Sequence, residues 1–241
     1  IKPISFKNAL EQTLSALTAS LFTPNRIGDY GAKALYYPYQ LRKKIMLLNV
    51  AGNMIQMTIT VVFGSIGLYL IHSTYGINFN IFRMSRFLIV IGVITILTSF
   101  GLKQNKYRIK GFSVERLITF FKNIPATIVR STVLLALMRY MVFSFQFYCL
   151  LHIFGTHLSY CEAMVFITSM YLIASIIPSI FIFDVLIKGS IAVYLFSILG
   201  IDDLTILSIV TLMWVLNFMI PSLCGSYFVL NFKFPKSNSK L

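Results

Sequence analysis

Residues 45–72 and 204–230 each run for more than 25 positions without an acidic or basic side chain. Crossing the hydrocarbon core of a bilayer as a helix takes ~20 apolar residues, and both stretches exceed that. Hydrocarbon offers no partner to backbone N–H and C=O groups, so such a stretch crosses as a helix that satisfies its own polar groups. The rest of the chain agrees: 57% of residues are hydrophobic, 12% are charged and the mean hydropathy is +0.81. A soluble domain carries about 25% charged residues. The expected fold is an all-α integral membrane protein, a polytopic helical bundle in the cell (cytoplasmic) membrane. The net charge of +14 would fit a nucleic-acid binder in a soluble chain. Here no basic stripe with interleaved aromatics lies outside the spans, so no nucleic-acid partner is expected.

The basic residues instead report orientation. Segments 33–44, 103–122 and 231–241 carry four, six and three Lys/Arg, whereas 155–160 and 200–203 carry none. Short loops rich in Lys and Arg stay in the cytoplasm. With the first set inside, spans at 45–72, 87–102, 125–154 and 204–230 alternate in direction, and 231–241 is a cytoplasmic tail. Pro125 suits the start of the third span, where its missing N–H is not needed. The amphipathic, basic segment "SVERLITFFKN" is placed on the anionic inner leaflet.

Two apolar segments do not fit that alternation. Residues 8–40 must begin and end inside, and residues 161–200 must begin and end outside. Both are expected to be re-entrant helical hairpins, dipping in from opposite faces within one transmembrane domain, 1–230. Their tips are alike: Pro24, Asp29 and Lys33 in the first, Pro178, Asp184 and Lys188 in the second. In each, a proline stops the entering helix and an acid precedes a base by four residues, on one helix face. Broken helices in inverted repeats are a construction of many secondary transporters. The chain begins with Ile, and a further N-terminal crossing, missing from this sequence, would complete the symmetry.

Polar residues within the spans are the candidate site. Asn49, Asn53, Gln56, Thr60, Gly64 and Gly67 recur every three or four residues, which places them on one face of the first span. That face lines a cavity, or packs against other helices, or does both. Arg139 lies fourteen residues after Pro125, ~21 Å along its helix, too deep for easy contact with either surface. Gln146 and Thr132 share its face. A mid-membrane arginine calls for an acidic partner, and Asp29 and Asp184 are the candidates. Arg26, at the first hairpin tip, is a further cation. The cysteines 149, 161 and 224 are widely separated and read as packing residues. No metal-ligand spacing, Walker loop, dinucleotide fingerprint or paired nucleophile occurs, and "SLCGS" at 222–226 reads as a small-residue packing patch. No cofactor, metal or catalytic residue is expected, and the chain is not expected to be an enzyme.

"TPNRIGDYGAKAL" (23–35) resembles the Thr-Pro…Gly-acid segment of the lysylphosphatidylglycerol synthase transmembrane-region family. This is the membrane half of the multiple-peptide-resistance proteins, also found as stand-alone proteins. "RYMVFSFQFYCLLHIFG" (139–155) is similar to that family's helix before the second hairpin. "IIPSIFIFDVLIKGSIAVYLFSILGI" (176–201) occupies the place of its second acidic segment, with "SIFIF" where the family has a glycine-rich turn. The resemblance implies movement of phospholipid between leaflets. It implies no aminoacyl transfer, which in the family belongs to a separate soluble domain, and here only eleven residues follow Leu230. The expected function is flippase-like lipid translocation, with membrane lipids as partners. Arg139 and Arg26 would face phosphate, and Asp29 and Asp184 cationic groups. The alternative is a non-transporting scaffold that docks a separately encoded lipid-modifying enzyme.

Overall fold

The computed structural model describes residues 4–21, 23, 28–76, 119–177 and 182–232. The expected span 87–102, Pro24, Arg26, Pro178, residues 103–118 and the tail from 233 lie outside the described residues. Among the described residues every regular element is helical. They are α1 (Phe6–Ser20), α2 (Gly28–Leu35), α3 (Tyr39–Tyr75), α4 (Ala126–Ile153), α5 (Tyr160–Ile176), α6 (Ile182–Phe196), α7 (Asp203–Trp214) and α8 (Ile220–Leu230). Helices α7 and α8 run on through a π-helical segment, Val215–Met219. Among the described residues, three helices are long and apolar enough to cross a membrane: α3, α4 and the continuous Asp203–Leu230. They mark a membrane protein.

Local sequence explains the boundaries. Ser159 accepts a hydrogen bond from the Glu162 N–H at 3.3 Å, capping α5. Asp202 accepts from the Thr205 N–H at 3.1 Å, capping α7. Each cap satisfies a donor that the first helical turn leaves unpaired. Helix α4 is followed by Gly155 at φ 83°. The 3₁₀ turn after α6 closes on Gly200 at φ 70°, with the Ile201 N–H returning to the Phe196 carbonyl at 3.3 Å. A left-handed residue is needed at both stops, and only glycine takes it without strain.

One boundary differs from the sequence reading. Helix α3 starts at Tyr39, six residues ahead of the charge-free stretch, and takes in Arg42, Lys43 and Lys44. Gln, Leu, Arg and Lys are all good helix formers, and Pro38 sits where a helix can begin. At 37 residues α3 is ~55 Å long, against a hydrocarbon core of ~30 Å. Its basic first turns therefore project beyond the hydrocarbon as helix rather than as loop.

The chain forms two compact units, Ile1–Leu68 with Ala136–Leu241, and Tyr69–Leu135. In the second, the described residues include the last turns of α3 and the first of α4. There the Pro125 carbonyl accepts from the N–H groups of Ile128 and Val129 at 3.0 and 3.2 Å. In the first unit, small residues bring helices together. A Cβ on Gly64 would lie 2.9 Å from the Thr168 carbonyl of α5, and one on Gly67 would lie 2.7 Å from the Val165 carbonyl. Gly225 of α8 faces the Leu14 backbone of α1 in the same way. Close backbone approach of this kind is how membrane helices gain packing energy where lipid is as apolar as their side chains. Between α4, α5 and α6, Phe147 stacks on Phe196, and Phe166 tilts against the same ring. Met138, Met141, Val142 and Phe145 of α4 are each more than half exposed, an apolar face suited to lipid rather than water.

Candidate functional site

The two Asp–Lys motifs form as the spacing requires. In the first turn of α2, Asp29 lies 3.1 Å from the Lys33 ammonium, both side chains 25% exposed. In the first turn of α6, Asp184 lies 2.7 Å from Lys188, the acid 16% exposed. Each carboxylate sits at the positive end of a helix, four residues ahead of its base, the favourable order for helix dipole and pair alike. A pair of this kind on a wet surface contributes about 0.3–0.5 kcal/mol. Inside a membrane it matters more, because either charge alone would be far costlier than the neutral pair.

Helix α2 returns toward α3. The Asn53 amide donates to the Tyr30 hydroxyl at 2.7 Å, joining the turn that carries Asp29 to the polar face of the long span. One turn earlier on that face, the Asn49 amide nitrogen is buried and has no hydrogen-bond partner among the described residues. A buried donor left unpaired costs about 1–3 kcal/mol. Gln56, one turn beyond Asn53, is half-buried. Farther along, Gly64 and Gly67 press against α5. The stripe thus has two parts: its glycine end is helix packing, and its amide end meets α2.

Helix α4 carries the second group. Arg139 stands at the helix midpoint, ~20 Å from either end, with its guanidinium over the Phe143 ring at 5.5 Å. Cation–π contact of this kind strengthens where water is excluded. Two turns on, Gln146 accepts a hydrogen bond at 3.0 Å from the Asn217 amide, which also donates to the Met213 carbonyl at 2.9 Å. The Tyr171 hydroxyl of α5 donates to the Phe143 carbonyl at 3.1 Å, tying α5 to this stretch of α4. Of the ten residues expected from sequence, Arg26 lies outside the described residues and the others fall into three groups. Asp29, Lys33, Asn49, Asn53 and Gln56 belong to α2 and α3, Arg139 and Gln146 to α4, and Asp184 and Lys188 to α6.

Tyr30 and Asn217 join the site without having been expected. Asn217 carried a signal, being an amide in a charge-free span four residues before a proline. Tyr30 carried none, since nothing in "GDYGAK" singles out a tyrosine.

The Gln146–Asn217 contact can be measured directly. Gln146→Leu and Asn217→Leu should each lower stability, and a double-mutant cycle in detergent should return about 1 kcal/mol of coupling, as for other interhelical side-chain bonds in membranes.

No protein-family model, curated protein or solved structure matches this chain.

Proposed function

We propose that the protein is a flippase-like lipid translocator, related to the transmembrane half of the lysylphosphatidylglycerol synthases. In this reading it is a multi-pass protein of the cell membrane and performs no chemistry of its own. The 8–40 and 161–200 segments act as re-entrant hairpins in an inverted repeat. Between them they offer a lipid headgroup fixed charges on the way through the hydrocarbon.

The observation that carries the proposal is the duplicated ion pair. Two helix–break–helix segments place an Asp in the first turn after the break, paired with a Lys one turn on, at 3.1 and 2.7 Å. Helix α2, with eight residues, is ~12 Å long, and α6, with fifteen, ~22 Å, so neither reaches across ~30 Å of hydrocarbon. Charges held there cost stability, and polar groups retained inside a membrane mark pathways. A phospholipid headgroup joins phosphate to other polar or cationic groups. Lys33, Lys188 and Arg139 supply cations for the first, and Asp29 and Asp184 anions for the second. The Asn49–Asn53–Gln56 face adds neutral donors and acceptors along the path.

The test is reconstitution. Purified protein in liposomes should carry fluorescent phospholipid between leaflets, read as the fraction made accessible to a membrane-impermeant quencher. Arg139→Ala should slow that transfer at least tenfold. Protein that inserts and folds but moves no lipid would overturn the proposal. If a lipid-modifying enzyme also co-purified in fixed stoichiometry, the docking scaffold would take its place.

A further inference from the structure

The last span is one helix by length but two by attachment. Its first half, α7, packs along α6: at Gly189 of α6 a Cβ would lie 3.0 Å from Leu207. Its second half, α8, packs along α1. The Thr18 hydroxyl donates to the Ser222 carbonyl at 2.7 Å, and Gly225 abuts the Leu14 backbone. One half is therefore fastened to the segment carrying Asp184–Lys188, and the other to the segment leading to Asp29–Lys33.

Between the halves the helix is interrupted. The Ile220 N–H bonds to the Val215 carbonyl, five residues back, which makes Val215–Met219 a π turn. Pro221 explains it. A proline has no N–H for the carbonyl four residues earlier, and its ring crowds that carbonyl, so the turn widens. The polar groups here are pinned from outside the helix backbone. The Asn217 amide bonds the Met213 carbonyl and reaches across to Gln146 on α4. Next to the proline, the Ser222 hydroxyl is buried with no partner among the described residues. An interruption held by a side chain of another helix, beside an unpaired buried hydroxyl, is a place where a second arrangement of hydrogen bonds is within reach.

We propose that Val215–Pro221 is a swivel joint, with the Gln146–Asn217 bond as its latch. It lets the α1–α8 assembly turn against the α6–α7 assembly. The inference holds whether or not the protein moves lipid, since it rests on which helices each half of the span grips.

The joint can be read with two spin labels in nanodiscs. One goes on the exposed Cys224 of α8 and one on Ser208→Cys of α7, with Cys149 and Cys161 replaced by serine. Sixteen residues of straight helix would separate them by ~24 Å. The expected result is two distance populations in the otherwise unaltered chain, merging into one in Pro221→Ala. Gln146→Leu should change the ratio of the populations at least threefold. One narrow population that neither substitution alters would overturn the joint, as would two populations indifferent to Pro221→Ala. Should Pro221→Ala fail to fold, the unaltered chain and Gln146→Leu decide: a single population, or a ratio that Gln146→Leu leaves unchanged, overturns it.

Discussion

Gly225→Val is expected to destabilise the protein by about 3 kcal/mol, the upper end of the usual cost of overpacking. The cost follows from what the new side chain meets. A Cβ at Gly225 would run into the Leu14 carbonyl and the Thr18 hydroxyl of α1. Backbone cannot rotate aside as a side chain can, so α1 and α8 must separate. Separation also lengthens the bond from Thr18 to the Ser222 carbonyl. Gly31 and Gly52 are the internal controls. Both lie inside helices, and a Cβ on either meets nothing within 4 Å. Alanine at those two positions should be neutral or should stabilise by up to about 1 kcal/mol, the propensity difference between the residues. Thermal denaturation in detergent, followed by loss of the monodisperse species, separates the two classes. Equal effects at positions 225 and 52 would mean that α1 and α8 do not touch as described.

The second large effect concerns the charge pair on α6. Asp184→Asn should cost about 1 kcal/mol, because it removes the 2.7 Å partner of a Lys188 side chain that is itself 37% exposed. Removing both charges, as Asp184→Asn with Lys188→Met, should return most of that stability, since a partly exposed pair gains little over neutral side chains. Lipid transfer separates structure from function. If the pair only tolerates its surroundings, the double variant moves lipid as well as the unaltered protein. The translocator proposal expects instead a stable double variant that has lost most of its transfer. Asp29→Asn and Lys33→Met form the corresponding test on α2, where both side chains are 25% exposed and a cost of similar size is expected.

Much of the helical layout can be read from residues alone, because its signals are local. Ser159 and Asp202 cap helices and Gly200 ends a turn, each for reasons contained within four or five residues. The third span is expected at 125–154 and found at Ala126–Ile153. Asp-to-Lys at a spacing of four pairs within a single helix, so Asp29–Lys33 and Asp184–Lys188 need no tertiary information. The start of α3 is missed for an equally local reason. Charge marks the edge of the hydrocarbon, whereas helix propensity marks the edge of the helix, and at Tyr39–Lys44 the two differ. The split of the polar stripe is beyond sequence. Gly64 and Asn53 lie on one face, but only the position of α5 makes the first a contact, and only the return of α2 gives the second a hydroxyl to bond.

The sequence by itself determines that this is a helical membrane protein, and that Asp29 and Asp184 each stand one turn ahead of a lysine on the same helix face. These follow from the cost of burying backbone polar groups in hydrocarbon and from the 3.6-residue period of the helix. Tertiary structure decides which helices touch: α8 on α1 through Gly225, α3 on α5 through Gly64 and Gly67, and Asn217 on Gln146. Those pairings join residues far apart in the chain: the Thr18–Ser222 bond between α1 and α8 spans 204 positions. They depend on matching surfaces in close packing, a property of two helices together that neither sequence segment carries alone.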